Sequence, residues 1–310
     1  MDLSIVIPVK NEAESLAKLL EEINIAVKPL ELEYEVIVID DGSTDQTWAT
    51  LQDLSGGYTQ LRAVKLQYNC GKATALALGF SKAKGDKVIT MDGDLQDNPN
   101  EIPGLLQKLD EGYDLVSGWK KRRFDPWHKT IPSKLYNVVV SIVAGIRLHD
   151  FNCGLKAYRR EVVMHLPLYG DYHRFIPVMA KWRGFKITEM VVEHRPRIHG
   201  VSKYGASRLI SGFLDLVSLL FLHRFAVKPL HFFGSIGLLF VLMGAGLLGY
   251  FGVQWLITGA LHIRPLMFGG GLLLLTGLQL GSLGLLGEML NSNTQRSVFP
   301  IAASIRVKEE

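Results

Sequence analysis

The sequence has few cysteines, no strongly basic stretch and no leader-like hydrophobic segment at its start. Cys70 and Cys153 lie far apart and form no C-x-x-C pair, which argues against a disulfide framework and favours reduced thiols in the cytosol. The net charge of +4 and the lack of a basic stripe with interleaved aromatics indicate no nucleic-acid partner. The apolar run at residues 3–9 is too short for a signal peptide, and Lys10 follows it directly.

Charged residues are missing from two long apolar runs near the C-terminus. Residues 232–261 and 265–287 contain no Asp, Glu, Lys or Arg. Each run exceeds the roughly 20 residues that a membrane-spanning helix needs. A buried core helix is the alternative, but such helices rarely run so long without charge. The sequence therefore predicts two membrane spans.

Basic residues flank these spans and predict their orientation. Arg224 and Lys228 precede the first span, and Arg296 and Arg306 follow the second. By the positive-inside rule both termini and the N-terminal domain are cytoplasmic. Between the domain and the first span, an apolar stretch interrupted by charges predicts an amphipathic helix in the membrane interface, or else a helix docked on the domain. The predicted division is a catalytic domain at residues 1–205, a juxtamembrane helix at 206–228, a two-helix anchor at 229–290 and a tail at 291–310.

The N-terminal part alternates strand-like and helix-like segments. "LSIVIPV", "YEVIVIDD", "LRAVKL" and "DKVITMD" are apolar runs typical of strands buried on both faces, and helical patterns separate them. Ser43 and Gln46 have capping-box spacing at the second helix. Such alternation predicts an α/β domain with a mostly parallel, Rossmann-like sheet.

Polar clusters follow the strands at the positions where such sheets bind ligands. They comprise residues 8–12 after the first strand, Asp40 and Asp41 after the second, and residues 92–97 after the fourth. Asp92 and Asp94 are two apart, so an extended backbone would point both carboxylates the same way. Carboxylate oxygens suit Mg²⁺ or Mn²⁺. An ordinary acidic turn is the alternative to this metal site.

Five stretches together resemble a known family. "VIPVKNEAESL", "VIVIDDGSTDQT", "MDGDLQDNPNEIP", "FNCGLKAYRREV" and "HGVSKYG" are similar, in order and spacing, to the inverting family 2 glycosyltransferases of the GT-A fold. More narrowly they resemble polyprenyl-phosphate glycosyltransferases such as dolichyl-phosphate mannose and glucose synthases and bacterial bactoprenol glucosyltransferases. The resemblance covers essentially the whole chain, including the two-span anchor.

The resemblance implies transfer of a sugar, with UDP-glucose favoured as donor, to a polyprenyl phosphate at the cytoplasmic face. GDP-mannose-dependent transfer, or a membrane-tethered transferase acting on a polysaccharide, is the alternative. A processive polysaccharide synthase is disfavoured because the chain has no Q-x-x-R-W motif. Gly71 and Lys72 belong to no P-loop, since neither the preceding Gly nor the following Ser or Thr is present. A non-catalytic scaffold has no need of the acidic motifs.

The resemblance also assigns roles to individual residues. The catalytic residues would be Asp94 and Asp150, where Asp150 either abstracts a proton or orients the acceptor. The donor nucleotide would meet Pro8, Val9, Asn11, Glu12, Asp40, Asp41, Asp92 and Gly93, although Asn11 could instead cap its helix. The metal would be held by Asp92, Asp94 and Gln96. The acceptor phosphate would meet Lys120, Lys129, Ser133, Arg197, Ser202 and Lys203, with Arg195 a further candidate.

Gly277 and Gly281 form a G-x-x-x-G match that suggests a homo-oligomer.

Overall fold

A computed structural model describes residues 1–121, 137–142, 144–164, 166–168, 170–196, 215–221, 228–259 and 265–294. The chain divides into two compact units, Met1–Asp215 and Leu216–Glu310. The finer division predicted from the sequence, at residues 206, 229 and 291, stays a prediction.

The first unit is built on a seven-stranded sheet. Its strands are β1 (Leu3–Val9), β2 (Tyr34–Asp40), β3 (Leu61–Lys65), β4 (Lys87–Thr90), β5 (Leu115–Trp119), β6 (Lys156–Arg159) and β7 (Ile187–Val191). Their spatial order is β3-β2-β1-β4-β6-β5-β7. Only β6, among the strands described, runs antiparallel to its neighbours β4 and β5. The predicted mostly parallel α/β sheet is confirmed, and the reversed β6 brings the start of that strand to the carboxyl edge of β4.

Helices cover the sheet because each has an apolar stripe. They are α1 (Ala13–Val27), α2 (Thr47–Ser55), α3 (Lys72–Lys82), α4 (Ile102–Asp110), α5 (Arg160–Met164) and α6 (Ile176–Trp182). In α1, Leu16, Leu19, Leu20 and Ile23 recur at helical spacing and are at most 3% exposed. Each such side chain contributes about 1.5–3 kcal/mol by leaving water. They pack with β1 and β2 in the core that fixes where these two strands end.

The start of α2 differs from the sequence prediction. Its first residue is Thr47, whose backbone N–H and hydroxyl both donate to the Asp45 carboxylate, at 3.0 and 2.5 Å. The Ser43 hydroxyl instead accepts the backbone N–H of Asn11 at 2.9 Å. The predicted capping box is therefore wrong, because the neighbouring loop after β1 engages the serine.

Two long apolar helices form most of the described part of the second unit. Helix α7 spans Pro229–Thr258 and helix α8 spans Pro265–Thr294. Their candidate spans have mean hydropathies of 2.1 and 1.6, and only 17% and 11% of their most apolar windows is buried. A core helix of a soluble protein would be mostly buried. Both are candidate membrane spans.

Glycines let α7 and α8 approach closely. A Cβ added at Gly277 would lie 2.5 Å from the carbonyl oxygen of Gly237, and one at Gly244 would lie 2.7 Å from that of Gly270. Real Cβ atoms essentially never come within 3.0 Å of such an atom. The G-x-x-x-G position Gly277 thus packs within the chain, while a Cβ at Gly281 would meet open space. This intrachain contact accounts for Gly277 without a second copy, and the predicted oligomer stays a prediction.

Candidate active site

The loops that follow β1, β2 and β4 meet at one edge of the sheet, because these strands are neighbours and parallel. The turn after β4 packs directly on the end of β1: a Cβ on Gly93 would lie 2.6 Å from Cγ1 of Val9. The Ser15 hydroxyl of α1 donates to the Gly93 carbonyl at 2.6 Å. The structure therefore brings together the residues that the sequence predicted for the donor on β1 and on the 92–97 turn.

Asp41 holds together the loop that follows β3. Its carboxylate accepts the backbone N–H groups of Cys70 and Gly71, at 2.7 and 3.0 Å. With its amide oriented to satisfy both neighbours, Asn69 donates to Asp41 at 2.7 Å and accepts from Lys10 at 2.8 Å. Asp41 is 5% exposed, and these hydrogen bonds fix its carboxylate beside the end of β2.

Asp40 and Gly42 shape the same turn. Asp40 is fully buried, and one of its carboxylate oxygens accepts the Ser43 N–H at 2.8 Å. Gly42 has a φ of +66°, and a Cβ there would lie 2.5 Å from the carbonyl carbon of Tyr68. A residue with a side chain is excluded at this position both by its conformation and by lack of space.

Asn11 links the loop after β1 to the loop after β2. Its side-chain oxygen accepts the Thr44 N–H at 2.9 Å, and its own φ is +55°. The N-cap of α1 is Glu12, with no side-chain cap hydrogen bond, so the capping role considered for Asn11 is wrong. The Glu12 backbone N–H donates to the Thr47 hydroxyl at 2.9 Å. Both residues join the two loops on which the nucleotide was predicted to bind.

The acidic motif itself forms a tight turn. Gly93 and Asp94 lie in a turn, so the extended backbone expected between Asp92 and Asp94 is wrong. Asp94 is 9% exposed, and its Oδ1 accepts the Gln96 N–H at 3.2 Å. The Asp92 N–H donates to Asp97 at 3.0 Å. The predicted metal ligands therefore lie in one turn whose conformation its own hydrogen bonds maintain.

Leu95 adds strain to this turn. Its φ is +62° although it is a branched residue, and its side chain is 2% exposed. A residue held in this region costs about 1–3 kcal/mol, which the surrounding structure must offset. Of the three non-glycine residues with positive φ in the described ranges, Asn11 and Leu95 both lie at this edge. No sequence pattern signals the positive φ of Leu95, since leucine carries no marker of a left-handed conformation.

Asp92 lies between an ammonium group and a glycine. Its carboxylate forms an ion pair with Lys72, the first residue of α3. A Cβ on Gly154 would lie 2.6 Å from the Asp92 Cγ, so only glycine leaves room for the carboxylate there. Partial burial acts to raise the pKa of Asp92, but the ammonium groups of Lys72 and Lys120 outweigh it and hold the pKa below its usual range. Asp92 is thus ionised at neutral pH.

A second layer of ion pairs supports the turn from behind. Lys120 is 13% exposed in its side chain, and its ammonium lies 2.9 Å from the Asp97 carboxylate. Burial acts to lower the pKa of Lys120, but Asp97 outweighs it and raises that pKa. The guanidinium of Arg195 donates to Glu22 at 2.6 Å and to Asn98 at 2.8 Å. These contacts fix the turn, and a role for either cation at the acceptor phosphate stays a prediction.

The other predicted acceptor residues divide into two groups. Asp150 is described and is 1% exposed; its Oδ1 accepts the Asn152 N–H at 3.0 Å. Its catalytic role stays a prediction. The remaining positions lie outside the described residues: Lys129, Ser133, Arg197, Ser202 and Lys203.

Behind the acidic turn lies a cleft that the sequence did not predict, here called the inner cleft. Its lining includes Pro8, Lys72, Thr90, Asp92, Asn152, Gly154, Lys156, Tyr158 and His173. Lys156 begins β6, opposite Thr90 of β4, and the Thr90 hydroxyl donates to the Gly154 carbonyl at 2.8 Å. Sequence patterns could not find these residues, because they reach the site only through the antiparallel pairing of β4 with β6.

The inner cleft is lined by buried ionisable groups. Lys156 is 3% exposed and donates to the Cys153 carbonyl. Burial lowers the pKa of Lys156, and burial together with the nearby cation Lys72 lowers that of His173. Burial raises the pKa of Cys153 to about 12, so this thiol stays neutral and is no nucleophile.

The donor atoms of the acidic turn fit a divalent cation that is shared with a substrate. In the described ranges, no three His, Cys, Asp or Glu side chains form a cluster that could hold a metal by itself. Mg²⁺ and similar ions are commonly bound by one or two carboxylates together with substrate phosphates. Asp92 and Asp94 are two such carboxylates, both in the segment that follows β4, and their role as metal ligands stays a prediction.

Comparisons with known proteins show the family of the chain. Residues 4–166 match the family model described as glycosyl transferase family 2. The chain is 39% identical over 296 residues to dodecaprenyl-phosphate galacturonate synthase of Rhizobium johnstonii, covering 94% of this chain and 88% of that protein. It is 37% identical over 297 residues to undecaprenyl-phosphate 4-deoxy-4-formamido-L-arabinose transferase of Pseudomonas fluorescens, covering 93% and 84%.

Among solved structures, glucosyl-3-phosphoglycerate synthase from Mycobacterium tuberculosis, in complex with Mn²⁺, UDP-glucose and phosphoglyceric acid, shares the fold. Its TM-score is 0.53 at 22% identity, and the match covers 72% of this chain and 79% of that one. The α/β architecture is that of the GT-A fold, as the sequence predicted. The chain belongs to glycosyl transferase family 2 and is a glycosyltransferase.

Proposed function

We propose that this enzyme transfers a sugar from a nucleotide-sugar to a polyprenyl phosphate in a membrane. The observation that carries the proposal is the 39% identity to a dodecaprenyl-phosphate galacturonate synthase over 94% of this chain. A match of that extent includes both the acidic turn and the two apolar helices. A transferase with a soluble acceptor has no need of such helices.

On the donor side, the loops joined by Asn11 and Asp41 bind the nucleotide, and Asp92 and Asp94 hold a divalent cation with the diphosphate. Mg²⁺ or Mn²⁺ is the ion that suits these oxygen ligands. When bound, the cation neutralises the charge of the departing nucleotide diphosphate. Lys72 keeps the Asp92 carboxylate oriented, since the two form an ion pair. The strained turn at Leu95 keeps both carboxylates at the edge of the sheet.

On the acceptor side, the phosphate oxygen of the lipid attacks the anomeric carbon of the sugar. A phosphate monoester is largely ionised at pH 7, so it needs no strong general base. Because no strong base is needed, we assign Asp150 to orienting the acceptor; its buried carboxylate accepts the Asn152 N–H at 3.0 Å. Lys120 contributes positive charge near the acceptor while it stays paired with Asp97.

The membrane position follows from the second unit. Helices α7 and α8 span the bilayer, and the flanking basic residues keep the first unit at the cytoplasmic face. The enzyme thereby binds its donor on the cytoplasmic side, where nucleotide-sugars are made, and its acceptor phosphate at the same membrane surface. The relatives are named after two different sugars, so they leave the sugar open. UDP-glucose and GDP-mannose both belong in the test.

The test uses the full chain purified in detergent with undecaprenyl phosphate, Mn²⁺ or Mg²⁺, and a panel of radiolabelled UDP- and GDP-sugars. Label is expected to move into the lipid phase from one donor class, and EDTA is expected to abolish this transfer. Asp94→Asn should reduce the rate by roughly 100-fold or more, as loss of a charge-stabilising group does. The matched control is Asp110→Asn, an exposed carboxylate paired with Lys87, which should leave the rate unchanged.

Two outcomes would contradict the proposal in different ways. If nucleotide binds with metal but no donor labels the lipid, the acceptor is wrong and a tethered transferase acting on a polysaccharide is favoured. If label moves equally well in EDTA, the assignment of the metal to Asp92 and Asp94 is wrong.

A further inference from the structure

His149, the residue before Asp150, is exposed and yet is held by its neighbours on several sides. Its side chain is 62% exposed. The Glu189 carboxylate of β7 accepts the His149 backbone N–H at 2.8 Å and also contacts the ring nitrogen Nδ1. The Trp119 indole at the end of β5 stacks on the imidazole, with ring centres 4.0 Å apart and planes 13° apart. The Asn137 amide donates to the His149 carbonyl at 2.8 Å, so both the ring and the backbone of His149 are fixed.

These contacts leave one nitrogen of the imidazole for a ligand. A carboxylate only accepts hydrogen bonds, so Nδ1 carries a hydrogen and donates it to Glu189. This bond sets the orientation of the ring in what is here called the His149–Glu189 dyad. The structure gives Nε2 no hydrogen-bond partner among the described residues. Fixing an exposed side chain costs rotamer entropy that little burial offsets here, so the geometry favours binding over packing.

The dyad lies at the same edge of the sheet as the acidic turn. Strands β4 and β5 are both antiparallel to β6, so both end at this edge, and the one strand between them puts their ends about 10 Å apart. Trp119 is the last residue of β5, and the next residue, Lys120, pairs with Asp97 of the turn at 2.9 Å. The dyad is therefore beside the turn to which we assign the donor diphosphate, where an acceptor would be met. The inference drawn here thus rests on the proposed function.

A phosphate monoester suits the free Nε2. Neutral imidazole beside a phosphate monoanion, and imidazolium beside the dianion, contain the same atoms and one shared proton, so a hydrogen bond joins Nε2 to a phosphate oxygen in both cases. With the proton on Nε2, the phosphate is the dianion, whose oxygen forms the bond to the anomeric carbon as the nucleotide diphosphate leaves. The product phosphodiester needs no proton, and Nε2 releases it to water. The Lys121 ammonium, 5.7 Å from the centre of the Trp119 ring, adds positive charge nearby.

We propose that His149 binds the phosphate of the lipid acceptor through Nε2, and that Glu189 is the positioning residue that keeps the ring in place. Neither residue belongs to the motifs that suggested the acceptor site. The group bound is a phosphate monoester carried by the lipid. Free inorganic phosphate has the same chemistry, so the two sources must be separated by experiment.

The first experiment separates Nε2 from Nδ1 with two amides, using the full chain in detergent. The amide of asparagine overlays Nδ1 of histidine, whereas that of glutamine reaches the position of Nε2. His149→Asn should raise the KM for undecaprenyl phosphate roughly 10- to 100-fold, the effect of losing a hydrogen bond to a charged group, and leave the donor KM unchanged. His149→Gln should lose much less. Glu111→Gln, an exposed carboxylate paired with Lys108, is the control and should change neither KM.

The second experiment tests Glu189. Glu189→Ala frees the imidazole and should raise the same KM, and adding His149→Asn should cost nothing further, because both changes remove one contact. Isothermal titration without donor should give the same order of affinities for farnesyl phosphate, and much weaker binding of inorganic phosphate. The thermal midpoint in the same detergent checks that each variant is folded.

Several results would overturn the inference and leave the proposed transfer intact. A fall in kcat with an unchanged lipid KM means that His149 only holds Asp150 in place. If His149→Asn binds lipid as well as His149→Gln does, Nε2 is not the contact, and additive losses in the double variant separate Glu189 from His149. A raised donor KM assigns the dyad to the diphosphate, and inorganic phosphate binding as tightly as farnesyl phosphate assigns it to a free anion.

Failure of the proposed function has a different signature. If no donor labels lipid, the transfer to a polyprenyl phosphate is wrong, and the titration alone decides the role of the dyad. Farnesyl phosphate must then still bind, and His149→Asn must still weaken that binding, or the inference fails as well.

Discussion

Replacing Gly154 with alanine tests whether the Asp92 carboxylate must stay beside Lys72. The added Cβ would lie 2.6 Å from both Cγ and Oδ2 of Asp92 and 2.7 Å from Oδ1, whereas ordinary contacts begin at 3.4 Å. The atoms it meets belong to one short side chain and not to the backbone. The expected response is therefore a displacement of the carboxylate by about 0.8 Å, with the fold retained.

The consequence for the rate is larger than the consequence for stability. A misplacement of about 1 Å in a positioned group costs on the order of 100-fold in rate. The Asp92 side chain is 31% exposed and can rotate towards solvent, so overpacking costs only about 1–2 kcal/mol. Gly154→Ala should thus lower the initial rate of sugar transfer roughly 100-fold while the thermal midpoint falls by a few degrees.

The assay is radiolabel transfer to lipid by the purified chain, with the thermal midpoint measured in the same detergent. Gly57→Ala is the matched control, because a Cβ at Gly57 would meet no atom closer than 3.8 Å. Its rate should equal that of the wild type. If Gly154→Ala also transfers sugar at the wild-type rate, the position of the Asp92 carboxylate does not matter and the reasoning is refuted.

Further predictions concern packing, pH and metal. Gly277→Leu should lower the thermal midpoint and Gly281→Leu should not, because only the Gly277 Cβ would meet the facing helix; equal effects would contradict the packing. Burial acts to raise the pKa of Glu35, yet hydrogen bonds from Arg62 and Ser4 hold this pKa below its ordinary value of 4.5. Glu35→Gln should therefore cost about 2 kcal/mol at pH 7, and that cost should shrink as the pH falls below about 4.5; a pH-independent difference would contradict it. EDTA should weaken UDP binding, and Mn²⁺ should restore it.

Much of the fold was predictable because its signals are local. Apolar runs of strand length, each followed by a helical stripe such as Leu16–Leu19–Ile23, indicated a parallel α/β sheet, and the structure has one. The two uncharged runs indicated the long helices α7 and α8. The capping box at Ser43 failed because a residue from another loop binds its hydroxyl, and no local pattern reports that contact.

The candidate site was predictable at strand ends and not beyond them. The positions of Asp92, Asp94 and Asp41 were predictable because polar residues after buried strands of a parallel sheet must meet at one edge; their roles stay predictions. The extended backbone expected between Asp92 and Asp94 was wrong, because the chain turns at Gly93 and Asp94, and this turn holds Leu95 at a positive φ. Arg195 stabilises that turn while its guanidinium donates to Glu22, which lies far away in sequence.

The sequence by itself determined the class of the sheet, the edge where the acidic residues collect and the family to which the chain belongs, since hydrophobic periodicity and short motifs are properties of neighbouring residues. The tertiary structure decided what surrounds those acids. Strand β6 runs antiparallel between β4 and β5, and this long-range pairing brings Gly154 and Lys156 beside an aspartate more than sixty residues earlier. Strand direction is set by the packing of the whole domain, so the inner cleft and its buried cation exist only in the folded chain.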